Sequence, residues 1–362
     1  MAKNQLRQIL SVAVLEACAE WDWPERQRRL SSAFADVYAG SVAQRQDYSK
    51  PDLVVLPETF GSAYDLEQFD TDSEPVFAPP SGSDTPVDPD PLVSETSCSR
   101  SRFLSQQAKK HAVFVVGGII ERVEDRSGRK LYNTILVYGR DGVLVTKYRK
   151  IHLSNVKIRN TDNPMDEDDT AEDTVLTPGA ELASFQVDIG DDIGGDEQNE
   201  NTVNIGLQNC FDLRFPKAAH EYRHSAAHDC HVLLYPSYFL HSTVRLGHWE
   251  VLLKARALDN QVFTVGANQR FENTASAEKA GFLKSVSGKN LVLPGGQSMV
   301  FDILGSSIGD RSQLSSEVEV VRATLDLGLL NEVRDERLPL QRVKAELAGK
   351  GVMYTDVDCQ GH

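Results

Sequence analysis

Positive charge is scarce in this chain of 362 residues. There are 38 lysines and arginines against 53 aspartates and glutamates, which gives a formal net charge of −15. Such a surface repels phosphate groups, so neither nucleic acid nor an anionic membrane is an expected partner. Long apolar runs are also missing, since none approaches the roughly 20 residues that a bilayer-spanning helix needs. With 40% hydrophobic residues, the chain can still bury a full core and is expected to be a soluble globular protein.

Cysteine is scarce as well, with five residues that are odd in number and widely spaced. This pattern favours reduced thiols over a disulfide framework. The first residues also lack the small-residue cleavage pattern of a secretory signal. We therefore expect a cytoplasmic location, with organelle import left open.

Strand-like apolar runs outnumber helical patterns along the chain. The runs lie at residues 52–58, 113–120, 133–139, 143–148, 203–208, 231–236, 261–268, 298–303 and 318–327. Helical patterns lie between several of them, at residues 102–111, 216–229 and 247–260. The turn GRDG at 139–142 joins two runs as a hairpin, so the sheets are expected to be mixed. These patterns predict an α/β fold with two mixed sheets, each covered by helices on its outer face, which is a four-layer αββα sandwich.

Acidic stretches interrupt this pattern near residues 70–99, 155–173 and 190–201. They show no regular Asp/Asn spacing of a calcium loop, so they are predicted to be solvated loops inserted in a compact domain. The domain is predicted to span residues 1–335, and residues 336–362 are predicted to form a C-terminal arm. No metal or cofactor is expected.

The segment NCFDLRFP at 209–216 contains a cysteine between an apolar run and a helical stretch that begins at Pro216. Cys210 is therefore expected at a strand-to-helix elbow, where a helix N-terminus can lower the pKa of a thiol. The N–H group of Phe211 could hold an oxyanion there. From this segment alone, Cys210 is either a nucleophile or a buried packing residue.

Two charged residues also follow apolar runs. Glu58 comes at the end of DLVVLPE, and partial removal from water there makes a carboxylate a usable general base. Lys150 follows the run at 143–148 and could place an ammonium group beside both Cys210 and Glu58. Taken singly, each is also compatible with a solvated strand-end residue.

These segments together resemble a known family. LPETF, YRKIHL and CFDLRFP occur in this order, with HWEVLLKARALDNQ downstream. They are similar to the nitrilase superfamily of carbon–nitrogen hydrolases, over about residues 50 to 335. The resemblance implies a Glu-Lys-Cys triad at Glu58, Lys150 and Cys210. Members usually carry a second glutamate six residues ahead of a Pro-Gly pair, and Glu172 stands there, with a solvated loop residue as the alternative.

The chemistry that the resemblance implies needs no histidine. Glu58 would take the thiol proton, Cys210 would attack an amide carbonyl, and Lys150 with the Phe211 N–H group would stabilise the oxyanion. Ammonia would leave, and water would hydrolyse the thioester to the acid. Enzyme function itself has an alternative, because a catalytically idle binding or regulatory protein could retain the same fold.

The residues after the cysteine look like those of the amidase branch that contains omega-amidase and deaminated-glutathione amidase. The expected substrate is a small amide, such as the omega-amide of a 2-oxo dicarboxylic acid, with deaminated-glutathione amidase or nitrilase-type activity as alternatives. Tyr64 and Phe239 are candidate pocket residues with Phe211, although an aromatic at a strand end such as Phe239 is more often a core residue. Two segments depart from the family pattern, HLSN at 152–155 and GGQS at 295–298. The resemblance also implies a homodimer, because family members pair their outer helices and C-terminal arms.

The segment HEYRH at 220–224 matches the H-E-x-x-H pattern of zinc proteases. On a helix, His220, His224 and His228 would lie opposite the apolar stripe of Ala219, Tyr222 and Ala226, so they are expected to face solvent. A catalytic zinc needs a pocket and a third ligand. The sequence therefore favours a helix without zinc.

Overall fold

A computed structural model describes most of the chain, namely residues 9–19, 21–39, 50–79, 98–126, 128–158, 168–189, 202–271 and 293–340. The predicted insertion at 190–201, most of that at 70–99 and most of the C-terminal arm lie outside the described residues. The domain boundaries and the arm therefore stay predictions.

The first sheet has seven strands from both ends of the described chain. They are β1 (Ile9–Glu16), β2 (Leu53–Val55), β3 (Phe114–Asp125), β4 (Gly128–Tyr138), β5 (Leu144–Arg149), β13 (Asp310–Gln313) and β14 (Glu319–Asp326). Their order across the sheet is β13-β14-β1-β2-β3-β4-β5. Strand β2 runs parallel to β1 and β3, and the other neighbours are antiparallel. The sheet is mixed, and the hairpin predicted at 139–142 joins β4 to β5.

The second sheet has five strands, with three parallel strands in its middle. They are β8 (Ser184–Asp188), β9 (Thr202–Leu207), β10 (Val232–Ser237), β11 (Phe263–Asn268) and β12 (Met299–Phe301). The order is β12-β11-β10-β9-β8, and both edge strands are antiparallel to their neighbours. A separate antiparallel pair joins β6 (Asn155–Ile158) to β7 (Asp168–Ala171).

The described residues form seven α-helices, four of which cover the outer faces of the two sheets. They are α1 (Trp23–Ala39), α2 (Phe69–Asp72), α3 (Ser99–His111), α4 (Pro216–His224), α5 (His241–Arg245), α6 (His248–Asn260) and α7 (Leu327–Glu332). Helices α1 and α3 pack on the first sheet, and α4 and α6 pack on the second. The inner faces of the two sheets meet in one apolar core. The predicted four-layer αββα sandwich is confirmed.

Strand β1 illustrates how the two sides of the first sheet are built. Successive side chains of a strand point to opposite faces. Val12 and Val14 lie in the core between the sheets, whereas Ala13 and Leu15 pack beneath α1 and α3. This strand needs apolar residues on both faces because it lies between β14 and β2.

Several sequence predictions were wrong in detail. Strand β1 and helix α1 were not predicted, because their apolar residues were considered only as a targeting segment. The helix predicted at 216–229 ends at His224, since Ser225 takes an extended conformation. The acidic stretch at 155–173 is not all loop, because β6 pairs with β7 across it.

Among the described residues, the longest and most apolar helices still fall short of what a bilayer-spanning helix requires. The cytoplasmic location stays a prediction.

Candidate active site

The three residues of the predicted triad follow the ends of three strands. Glu58 follows β2 and Lys150 follows β5, so both are carried by the first sheet. Cys210 follows β9, a strand of the second sheet. The structure brings all three together at the seam between the sheets, because the thiol of Cys210 interacts electrostatically with both Glu58 and Lys150.

Glu58 is fully buried, and donors from both sheets contact its carboxylate. Oε1 accepts hydrogen bonds from Lys150 Nζ at 2.9 Å and from Asn133 Nδ2 at 2.6 Å. Oε2 accepts one from the backbone N–H of Tyr238 at 2.7 Å, just past β10. The charge of Glu58 also raises the pKa of the Cys210 thiol. The carboxylate is therefore fixed in place near the thiol.

The ammonium group of Lys150 lies between two carboxylates. Its Nζ is 2.9 Å from Glu58 Oε1 and 3.0 Å from Glu172 Oε2, and all three side chains are inaccessible to solvent. Burial alone would lower the pKa of Lys150, but the negative charges of Glu172 and Glu58 outweigh it and raise that pKa well above its ordinary value. Lys150 is therefore a permanent cation at neutral pH.

Glu172 is not a solvated loop residue. It begins a short 3₁₀ turn, Glu172–Thr174, and is fully buried. Its Oε1 accepts from Asn133 Nδ2 at 3.0 Å, and its Oε2 accepts from the backbone N–H of Ser154 at 2.6 Å. The solvated alternative was wrong because these donors and Lys150 compensate the loss of hydration.

The Pro-Gly pair after Glu172 also has a structural reason. The N–H group of Gly179 donates to the carbonyl of Lys150 at 2.8 Å. A Cβ atom at Gly179 would lie 2.1 Å from the carbonyl oxygen of Arg149. Glycine is required because the two backbones approach so closely, and the contact holds Lys150 in place.

Cys210 opens a 3₁₀ turn, Cys210–Arg214, and its φ of 47° lies in the left-handed region. A non-glycine residue in this region is uncommon and marks a strained turn. Burial raises the pKa of the thiol well above its ordinary value, and the charges of Glu58 and Glu172 raise it further against the opposing effect of Lys150. The prediction that the elbow lowers the thiol pKa was wrong, because desolvation and two carboxylates outweigh one ammonium group.

Asp212 joins the turn that begins at Cys210 to the strand that precedes Lys150. One of its oxygens accepts from Tyr148 Oη at 2.7 Å and from the N–H of Asn209 at 2.9 Å. The other accepts from the N–H of His152 at 3.0 Å and lies 2.7 Å from that ring's Nδ1. Four contacts to one buried carboxylate hold the two segments together. Sequence reasoning missed Asp212, although a carboxylate two residues after a candidate nucleophile was a usable signal.

Asn133 was also missed. Its Nδ2 donates to both Glu58 and Glu172, and its Oδ1 accepts from Asn209 Nδ2 at 2.8 Å. One amide thus joins both carboxylates to the residue before Cys210. An asparagine at the head of an otherwise apolar run was the signal that could have identified it.

Two further side chains from distant segments hold the loop after Glu58. The buried guanidinium of Arg26, on α1, donates to the carbonyls of Phe60 and Ser62 at 3.0 and 2.9 Å. Gln269 Nε2 donates to the carbonyls of Glu58 and Thr59 at 2.8 and 2.9 Å. Burial lowers the pKa of Arg26 to about 10, so it is still charged at neutral pH. Neither residue was predicted, since contacts so far apart in sequence leave no local pattern.

A pocket opens to solvent beside Cys210. All three predicted substrate-binding residues, Tyr64, Phe211 and Phe239, line it. Burial and the nearby charge of Glu172 raise the pKa of Tyr64, and the ring of Tyr238 stacks on that of Tyr64 at 5.0 Å. Phe239 also packs against Trp249, so it is both a pocket residue and a core residue. The site thus joins a thiol to an aromatic-lined cavity.

Arg214, which sequence reasoning did not single out, brings a positive charge into this pocket. Its guanidinium lies 5.1 Å from the ring centre of Phe239 and 5.8 Å from that of Phe211. Burial lowers its pKa, and the Cys210 thiol acts in the opposite direction. Among the described residues, no carboxylate lies within ion-pair distance of it. The pocket is therefore suited to a ligand that brings a negative charge.

The HEYRH segment lies elsewhere, on α4 at the outer face of the second sheet. Ala219 and Tyr222 are buried, as the helical pattern predicted. The rings of His220 and His224 are 4.2 Å apart, whereas His228 lies beyond the helix and contacts Ser184 Oγ at 2.8 Å. Within the part of the chain that the structure describes, no three His, Cys, Asp or Glu side chains form a group that could hold a metal ion.

An αββα sandwich with a cysteine, a lysine and two glutamates buried beside one pocket defines a class of protein, the nitrilase-like hydrolases. The chain belongs to the carbon–nitrogen hydrolase family, which it matches over residues 8–335. It is thus a hydrolase of carbon–nitrogen bonds, of the amidase type. The family predicted from the ordered motifs is confirmed.

Proteins similar in sequence to this chain include several omega-amidases. Omega-amidase NIT2 of Danio rerio is 31% identical over 290 residues, which are 80% of this chain and 81% of that protein. Omega-amidase NIT2 of Homo sapiens is 29% identical over 292 residues, 81% of this chain and 82% of that protein. The crystal structure of Saccharomyces cerevisiae Nit3, a member of branch 10 of the nitrilase superfamily, is 25% identical. It has a TM-score of 0.63, with 94% of this chain and 98% of that chain covered.

Proposed function

We propose that this protein is a thiol amidase that hydrolyses the omega-amide of a small 2-oxo dicarboxylic acid to the acid and ammonia. The observation that carries the proposal is one buried thiol in a pocket, near a carboxylate that is itself bound to a buried ammonium group. Structural ion pairs rarely include a thiol that faces a pocket, whereas nucleophilic catalysis requires this combination.

The first step is removal of the thiol proton. Because the pKa of Cys210 is raised, its resting form is the neutral thiol, and a base must act as the sulfur attacks. Glu58 is the base, since its carboxylate lies near enough for its charge to act on the thiol. The sulfur forms a bond to the amide carbon, and the proton passes to the carboxylate of Glu58.

The second step is charge stabilisation. The carbonyl oxygen of the substrate becomes an oxyanion, which the ammonium group of Lys150 and the N–H group of Phe211 stabilise. The first N–H groups of a helical turn have no acceptor within that turn, so the Phe211 N–H is available. Glu172 and Glu58 fix the ammonium group in advance, which spares it any reorganisation during the reaction.

The last steps return the enzyme to its resting form. Glu58 gives its proton to the amide nitrogen, the carbon–nitrogen bond breaks, and ammonia leaves a thioester on Cys210. A water molecule then attacks the thioester while Glu58 takes one of its protons. The carbon–sulfur bond breaks, the acid departs, and the sulfur regains the proton from Glu58.

Arg214 supports an anionic substrate. A partly buried guanidinium beside two aromatic rings lacks a carboxylate partner among the described residues, so a substrate carboxylate would complete it. The names of the two omega-amidase relatives support the same substrate class. Deaminated glutathione also carries an amide and carboxylates, and it is the second candidate substrate.

Ammonia release tests the proposal. Purified protein is assayed for ammonia release from 2-oxo-acid amides, neutral primary amides and nitriles. Deaminated glutathione is assayed separately for release of a free amine, because its amide nitrogen belongs to a cysteine residue and its hydrolysis gives no ammonia. Cys210→Ala is the matched control. We expect the highest kcat/KM with a 2-oxo omega-amide and no hydrolysis by the variant. A chain that hydrolyses none of these amides would be the idle homologue, and a preference for nitriles would reject the amidase assignment.

A further inference from the structure

The pocket contains a pair of hydroxyl groups that the proposed mechanism does not use. Ser154 stands just ahead of β6, and Thr170 lies on β7. Both line the pocket, and they are 6% and 2% exposed. Ser154 Oγ and Thr170 Oγ1 lie 2.8 Å apart, and either atom could be the donor.

The active centre holds this pair in a fixed position. The N–H group of Ser154 donates to Glu172 Oε2, and its carbonyl accepts from the N–H group of Glu172 at 3.0 Å. Thr170 Oγ1 accepts from the N–H group of Val156 at 3.0 Å. The two hydroxyl groups therefore have a defined distance from the residue that positions Lys150.

The pair has one hydroxyl proton that it can donate to a ligand. Two hydroxyl groups carry two protons, and the hydrogen bond between them uses one. The N–H group of Val156 donates to Thr170 Oγ1, so it uses a lone pair of that oxygen and no hydroxyl proton. Whichever oxygen donates within the pair, one hydroxyl proton has no acceptor among the described residues. A buried donor of this kind costs free energy unless a ligand or water accepts from it.

Another hydroxyl group of the pocket is already engaged. Thr243 Oγ1 donates to the carbonyl of Leu240 at 2.9 Å. Arg214 reaches the pocket from the nucleophile turn, whereas the Ser154–Thr170 pair reaches it from the β6–β7 segment. A substrate can therefore meet a cation from one element and a neutral donor from another.

We propose that the Ser154–Thr170 pair determines specificity by donating one hydrogen bond to the 2-oxo group of the substrate. This inference rests on the proposed function. The 2-oxo oxygen is an uncharged acceptor next to the carboxylate that Arg214 attracts. A neutral donor suits it, because a second cation would favour a second carboxylate instead.

The test compares 2-oxosuccinamate with succinamate, which have the same amide and carboxylate and differ by one oxygen. The readout is the ratio of their kcat/KM values, measured for the wild type and for Ser154→Ala/Thr170→Val. Comparing this ratio between the wild type and the variant cancels the difference in intrinsic reactivity between the two amides. We expect this ratio to fall roughly tenfold in the double variant, with the loss confined to the 2-oxo substrate.

Each single variant retains one hydroxyl group without its polarising partner, so a smaller fall of roughly twofold to threefold is expected. The single variants carry the test if the double variant does not fold, and thermal unfolding decides that point. An unchanged ratio in all folded variants, or an equal loss with both substrates, overturns the proposal. A wild type that hydrolyses neither substrate defeats the proposed function itself, whereas hydrolysis with an unchanged ratio defeats only the role of the hydroxyl pair.

Discussion

The Nζ atom of Lys150 lies 2.9 Å from Oε1 of Glu58, and neither side chain is exposed to solvent. Removing two such charges from water costs several kcal/mol per ion, so a buried ion pair adds little to the net free energy of unfolding. Buried charges of this kind are more often found where chemistry needs them. The pair joins the segments that follow β2 and β5 of the first sheet, beside a thiol from the second sheet. A packed apolar core would not produce this arrangement.

Replacing the proposed base should remove turnover. In Glu58→Gln the side chain keeps its shape but can no longer accept a proton, so kcat is expected to fall by roughly 10²- to 10⁴-fold. Steady-state ammonia release gives the value. Glu124→Gln is the matched control, because that side chain is 70% exposed and lies far along β3. Wild-type turnover in Glu58→Gln would remove Glu58 from the mechanism.

Removing the central cation should destabilise the fold as well as stop catalysis. Lys150→Met leaves Glu58 and Glu172 buried without their common partner, so the free energy of unfolding is expected to drop by about 3–5 kcal/mol. Adding Glu172→Gln removes one of the two uncompensated charges and should restore part of the stability but no activity. Urea unfolding measures both effects.

The control for that experiment is Lys147→Met. Lys147 pairs with Glu121 at 2.6 Å, but its side chain is 38% exposed, so a loss of at most about 1 kcal/mol is expected. Equal losses in the two methionine variants would contradict the account of Lys150 as a buried compensating charge.

The reactivity of Cys210 towards iodoacetamide should depend on Glu58 in a defined direction. Burial and then the charge of Glu58 raise the pKa of the thiol, so alkylation of the wild type should rise only at alkaline pH. Glu58→Gln removes a negative charge, so its alkylation midpoint is expected at lower pH than that of the wild type. Mass spectrometry of the labelled peptide measures the rates. An upward shift would contradict the assigned cause.

Three other cysteines serve as internal references in the same experiment. Cys18, Cys98 and Cys230 are at most 1% exposed and do not line the pocket, whereas Cys210 does. They are expected to react far more slowly than Cys210. Similar rates for all four would favour the idle homologue.

Arg214 should control charge selectivity and not the chemical step. Arg214→Gln is expected to raise KM for anionic amides by roughly 10- to 100-fold, because a charge-assisted hydrogen bond is lost. The kcat/KM for a neutral amide of similar size should change little, and this substrate is the control within each protein. Equal losses with both substrates would show that Arg214 acts on the fold of the turn.

The homodimer expected from the family resemblance stays a prediction, and the outer face of α6 is where we propose that two copies meet. Val251 and Leu258 on this helix are 64% and 44% exposed, and Leu304 is also exposed next to Gly305, which lies against Leu258. Val251→Glu/Leu258→Glu is expected to convert a dimer to a monomer in sedimentation experiments. Val145→Glu, an exposed valine on β5, should remain dimeric, and dimers of the double variant would place the interface elsewhere.

Local patterns were enough to predict the strand ends that carry Glu58, Lys150 and Cys210. Each follows an apolar run, and the order of the runs matched a family. Glu172 could be placed only by its spacing to the Pro-Gly pair, since its acidic surroundings are typical of a solvated loop. Spacing and hydrophobic pattern therefore located the candidate site.

The residues that hold the site together were not predictable in the same way. Arg26 contacts the carbonyl of Phe60, 34 positions away, and Gln269 contacts that of Glu58, 211 positions away. Such contacts depend on how α1 and β11 pack against the loop, which no single segment encodes. The direction of the pKa shift of Cys210 was mispredicted for the same reason, because burial is a property of the assembled sandwich.

The sulfur belongs to one sheet, while the base and the ammonium group belong to the other. A shift of one sheet relative to the other by about an ångström would separate the thiol from the carboxylate and the ammonium group. The backbone hydrogen bonds within each sheet would remain intact. On gentle warming, hydrolysis should consequently fade before circular dichroism registers any melting. The hydrolysis rate of this enzyme would then report how well its two sheets are aligned.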